Sequence, residues 1–98
     1  EKILVLGDMG ELGEDSAQLH AEIGRYAKEL GVDALFCLGE MSRHAAQAFG
    51  ANAWHYERIQ ELLADLENRL TSEVTVLVKG SRFMEMERVV RSFEVAGE

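Results

Sequence analysis

With 98 residues, 47% of them apolar and 29% charged, the chain has the composition of one soluble globular domain. Ten Lys and Arg against 18 Asp and Glu leave a net charge of −8, which repels a phosphate backbone and argues against nucleic-acid binding. No apolar run nears the roughly 20 residues that cross a bilayer, no signal-peptide pattern opens the chain, and a lone cysteine rules out a disulfide framework and suits a reducing, cytoplasmic setting.

In chain order, Lys2–Gly7 (KILVLG) reads as a short buried strand. Asp15 or Ser16 can cap a helix in which Leu19, Ile23, Tyr26, Ala27 and Leu30 recur at helical spacing. Gly31 follows as a C′ residue. DALFCLG is a second apolar strand that buries Cys37, and a short helix from about Ser42 to Phe49 ends at Gly50. NAWHYE gives a third strand, with Trp54 and Tyr56 on one side and His55 on the other. Ile59–Leu70 is amphipathic, with Ile59, Leu62, Leu63, Leu66 and Leu70 on one face. Val74–Val78 (VTVLV) is the strongest strand, and Phe83–Phe93 reads as a last helix in which at most one of Met84 and Met86 is core.

The alternation βαβαβαβα with apolar rather than alternating strands predicts an α/β domain over residues 1–98, with a Rossmann-like three-layer αβα arrangement and a mostly parallel sheet of about four strands. Right-handed crossovers then place three loops on the carboxyl rim of the sheet: Gly7–Ser16, Gly39–Ser42 and Lys79–Arg82.

The first loop, in VLGDMGELGEDS, combines three glycines with four acids. Its spacing is G-x-x-G-x-x-G, not the dinucleotide G-x-G-x-x-G. An EF-hand register starting at Asp8 would put Gly10, Leu12 and Leu19 at ligand positions, so a calcium loop is rejected. Glu14 and Asp15 suit a helix N-terminus, where negative charge is favoured. Asp8 directly follows the strand, a position from which a carboxylate accepts hydrogen bonds from ribose hydroxyls. An acidic glycine loop would then read the sugar of a nucleotide whose phosphates are held elsewhere. In the last loop, Lys79, Ser81 and Arg82 suit a carboxylate or phosphate. K-G-S is not the G-K-S of a Walker A loop, and the two cations could instead balance the acids of the first loop. His20 lies one turn into the first helix, near the rim, whereas His44 and His55 carry little functional weight. No nucleophile–base pair and no metal-ligand spacing is evident, so no catalytic residue is assigned.

Three segments in order, VLGDMGELGEDSAQLHAEIGRYAKELGVDALFCLGE, AWHYE and VLVKGSRFMEMERVV, resemble the C-terminal domain of the Mur ligases. LGDMGELG with a histidine early in the next helix, joined to VKGSR, is similar to the member that adds D-alanyl-D-alanine to UDP-MurNAc-tripeptide. The resemblance implies a three-domain ligase that uses ATP and Mg2+ to activate the tripeptide carboxyl as an acyl phosphate, which the dipeptide amine attacks. The C-terminal domain closes on a central ATPase domain that holds the Walker-type loop and the metal ligands, so this domain alone would be inactive. By position, Asp8, Met9 and His20 would face the nucleotide, His20 and the remaining acids shaping or hinging the loop, and Lys79, Ser81 and Arg82 would face the dipeptide. The family domain begins with a further strand–helix unit that has no counterpart before Lys2, which leads one to expect an uncovered apolar surface and self-association. Glu40 stands where relatives often carry lysine, so its loop is given no substrate role. A free-standing nucleotide-binding Rossmann module and a receiver-like interaction domain are the competing readings. Against the receiver, the usual pair of acids after the first strand is missing.

Overall fold

The computed structural model describes residues 1–9, 13–80 and 84–93. Four strands, β1 (Lys2–Gly7), β2 (Ala34–Leu38), β3 (Ala53–Tyr56) and β4 (Thr75–Lys79), form one sheet in the order β3-β2-β1-β4. Every pairing is parallel, with Val5 opposite Phe36 on one side and Val78 on the other. The helices described are α1 (Ser16–Glu29), α2 (Arg43–Phe49), α3 (Ile59–Glu67) and α4 (Glu87–Ser92), and a 3-10 turn, Gly13–Asp15, leads into α1.

Alternation along β1 and β2 separates two cores. Leu4, Leu6, Leu35 and Cys37 pack with Ala27 of α1 and with Ala45 and Phe49 of α2. Ile3, Val5, Phe36 and Leu38 pack with Leu62 and Leu66 of α3, and with Met86 and Val89 at the start of α4. The layers follow from handedness: β1→β2→β3 steps one way with helices on one face, and the return to β4 beyond β1 puts α3 on the other. Cys37 is fully buried, and burial pushes its thiol up to about 12.

Two expectations for α1 change in detail. The face that α1 buries is Ser16, His20, Gly24 and Ala27, not its large apolar residues. Leu19, Tyr26 and Leu30 stay exposed, Tyr26 at 61%. Gly24 explains the choice, because a β-carbon there would lie 2.2 Å from the Ala45 carbonyl oxygen, so only a small face lets α1 approach α2. Asp15 takes the N-cap position of α1 but makes no side-chain cap hydrogen bond. At the other end of that helix, Gly31 has φ +84 and the amides of Gly31 and Val32 bond Lys28 and Ala27 carbonyls, the C′ closure expected of a glycine.

β4, the strongest strand by composition, is an edge strand. Val76 and Val78 pack on the α3/α4 core, while Leu77 on the opposite face is 56% exposed. The last helix begins at Glu87, and Met86 is buried with Met84 only partly so. Tyr56 is buried and donates to the Asp65 carboxylate at 2.6 Å. His55 Nε2 lies 2.6 Å from the Gly39 carbonyl oxygen, which ties β3 to the end of β2.

Candidate functional site at the sheet's switch point

The strand order reverses between β1 and β4, because β1 leads away to β2 while β4 returns on its other side. In open α/β sheets such a switch point splays the two following loops and leaves a crevice at the carboxyl ends of the strands. Here an open cleft of about 560 Å3 lies there, lined by Met9, Val78, Lys79, Gly80, Met86, Glu87 and Val90. Met9 and Lys79, which belong to two loops far apart in sequence, thus share one cavity. Among the described residues no ion pair engages Lys79. Its partners in the expected cluster, Ser81 and Arg82, lie outside the described residues.

Asp8 stands beside this cleft and is already engaged. Its Oδ1 accepts from the Ser42 amide at 2.7 Å and its Oδ2 from the Met41 amide at 3.2 Å. These amides open the turn into α2, whose own cap residue, Ser42, makes no side-chain cap bond to the helix and instead donates its hydroxyl to the Gly39 carbonyl. Asp8 therefore supplies from β1 the negative charge that a helix start attracts. Gly39, at φ +111, makes room for it, since a β-carbon there would lie 2.6 Å from the Asp8 carboxyl group. Each carboxylate oxygen accepts one bond from the backbone and retains a lone pair for a further donor.

His20 is fully buried beneath the first loop. Its Nε2 accepts from the Met9 amide at 3.1 Å, and Nδ1 lies 2.7 Å from the Ser16 carbonyl oxygen. An amide can only donate and a carbonyl can only accept, so the partners demand a neutral ring with its proton on Nδ1. The buried ring ties the first helix to the loop through the Met9 amide. The loop after β2, expected to have no substrate role, holds Asp8 through its backbone amides. A backbone amide leaves no side-chain signature, so no residue pattern could have shown it. Among the described residues no group of three or more His, Cys, Asp or Glu is arranged to hold a metal ion. Nor is any described helix long and apolar enough to cross a membrane.

Comparison with known proteins fits this geometry. Residues 1–82 match the family model described as Mur ligase, glutamate ligase domain. The UDP-N-acetylmuramoyl-tripeptide–D-alanyl-D-alanine ligase of Escherichia coli (strain K12) is 36% identical over 98% of the chain, and that of Buchnera aphidicola subsp. Acyrthosiphon pisum is 41% identical over 91%. The chain spans about a fifth of the length of these relatives, 22% and 20%. Among solved structures, MurF from Acinetobacter baumannii superimposes with a TM-score of 0.83 at 32% identity, over 93% of this chain and 21% of that one. MurF ligase from Thermotoga maritima, solved with ADP, gives 0.79 at 26% identity, over 95% of this chain and 21% of its own. With the family model spanning both sides of the switch point, the chain belongs to the Mur ligase family, as its glutamate ligase domain.

Proposed function

We propose that the chain is the C-terminal domain of an ATP-dependent ligase that joins D-alanyl-D-alanine to UDP-MurNAc-tripeptide in peptidoglycan precursor synthesis in the cytoplasm. The observation that carries this reading is the switch-point cleft: a cation, Lys79, and the anchored Asp8–Met9 loop border one opening. The names of the relatives supply the substrate class.

In this reading Lys79, with Ser81 and Arg82, takes the carboxylate of the incoming dipeptide, for which a cation and a hydroxyl are suited donors. Asp8 uses its spare lone pairs on the ribose side of ATP, and Met9 lies beside it with its amide held by His20. ATP supplies the phosphoryl group that activates the tripeptide carboxyl. Mg2+ and the triphosphate are held mainly by the central ATPase domain of the same polypeptide, on which this domain closes. The contribution of these residues is positional: they place the amine and exclude water, so alone they would turn nothing over.

The test is calorimetric titration of D-alanyl-D-alanine and of ATP into the ligase carrying this domain, alongside turnover. Lys79→Ala should weaken dipeptide binding about 10-fold or more with ATP affinity unchanged, the scale of one charge-assisted contact. Asp8→Asn, which keeps one acceptor oxygen towards the α2 amides, should weaken ATP. Parental affinities in both variants would sink the assignment.

A further inference from the structure

Gly7 ends β1 and Gly80 follows β4, and the two backbones lie side by side: a β-carbon on Gly80 would sit 3.3 Å from Gly7 Cα. Met86 lies across both. A β-carbon on Gly7 would be 2.5 Å from its Sδ, and one on Gly80 2.5 Å from its Cγ. Two missing side chains therefore leave a saddle at the switch point, and one thioether fills it. Met86 is only 5% exposed, yet it lines the cleft that Lys79 borders. The floor of that cleft is thus a single unbranched side chain, with Met9, Val78 and Val90 as apolar wall and Glu87, whose carboxylate lies 3.7 Å from the Arg91 guanidinium, at its helix side. One cation above an apolar, shallow floor suits a ligand whose carboxylate adjoins a small apolar group.

Resting on the function proposed above, we propose that Met86 is a specificity-determining residue. Its thioether limits the depth below Lys79 to a methyl-sized group, so the cleft takes a carboxy-terminal D-alanine and rejects larger side chains. The competing role is plain core filling, since Met86 also packs with Val89, Leu66 and Phe36.

The experiment measures kcat/KM for D-alanyl-D-alanine and D-alanyl-D-valine in the ligase carrying this domain. D-Valine adds two carbons to D-alanine, and even one carbon in an apolar pocket is discriminated about 10–200-fold. Met86→Ala should cut the preference for D-alanyl-D-alanine at least 10-fold, by a KM gain for the larger dipeptide, while Met86→Leu keeps the parental ratio. Met86→Val, which shortens the chain with less loss of volume, gives the same reading if the alanine variant does not fold. An unchanged ratio in both shortened variants, with Lys79→Ala still raising the dipeptide KM, overturns the role of Met86 and leaves the functional reading standing. If Lys79→Ala also leaves the dipeptide KM unchanged, the cleft is not the dipeptide's and both fall.

Discussion

Gly24→Ala sets two effects of opposite sign against each other. In an exposed helix interior the change would stabilise by about 1 kcal/mol, through propensity alone. Here the new β-carbon would meet the Ala45 carbonyl oxygen at 2.2 Å and its carbonyl carbon and Cα at 2.9 Å, all of them backbone of α2. A backbone cannot swing aside as a side-chain tip does, so the helices must part by more than about 1 Å to regain ordinary van der Waals separation. A gap of that size forfeits about a quarter to a half of the dispersion attraction across the α1–α2 contact, and overpacking of this kind costs about 1–3 kcal/mol. Against the propensity gain, the expected outcome is a net loss of up to about 2 kcal/mol, which for a domain of this length lowers Tm by up to roughly 15 °C. Urea melts followed by circular dichroism should show a lower midpoint at an unchanged m-value. A variant more stable than the parent would refute the close approach of α1 and α2, and with it the reason the helix buries its small face.

Other outcomes follow from the same contacts. His20→Ala strands the partly buried Met9 amide and removes the bond to Ser16, so stability should fall by about 1–3 kcal/mol; an undiminished urea midpoint would deny the tie. Alkaline pH should destabilise the fold: an unfolded thiol ionises near about 8.5 while the buried Cys37 keeps its proton to about 12. Stability is therefore full below the unfolded value and declines as pH rises through this window, by roughly 2 kcal/mol at pH 10. Cys37→Ala should flatten that decline, leaving a share to Tyr56, whose phenol is also raised by burial and by Asp65; an equally steep decline in the variant counts against burial as its source. The apolar residues Tyr26 and Leu77 are open to solvent, so the isolated chain should self-associate in sedimentation equilibrium and Leu77→Lys should reduce it. A monomeric parent at high concentration would argue otherwise.

Much of the fold could be read from residue order, because apolar runs such as ALFCL bounded by glycines admit little besides a buried strand, and their alternation with helical spacing dictates a parallel sheet. The α1 face was misread for a physical reason. Periodicity ranks faces by hydrophobicity, whereas close helix–helix approach selects by size, and Gly24 and Ala45 decided the outcome. VTVLV gave a sound strand but not its place at the edge, since strand order depends on pairing between distant segments. At the rim, the placing of Asp8 just after β1 and of Lys79 at the end of β4 could be read in advance, because both stand at the carboxyl ends of apolar runs. The anchoring of Asp8 by backbone amides, the burial of His20 and the reach of Met86 over two glycines depend on distances no spacing rule encodes.

The bond between Asp8 and the Ser42 amide turns a residue outside the cleft into a sensor of its occupancy. A short charge-assisted bond deshields the amide proton, and Ser42 is fully buried, so its signal is sheltered from exchange with solvent. A ligand that draws the carboxylate towards its own hydroxyls lengthens that bond and moves the resonance upfield. A ligand confined to the Lys79 side leaves it in place. One amide frequency thus separates the two halves of the rim without labelling either ligand.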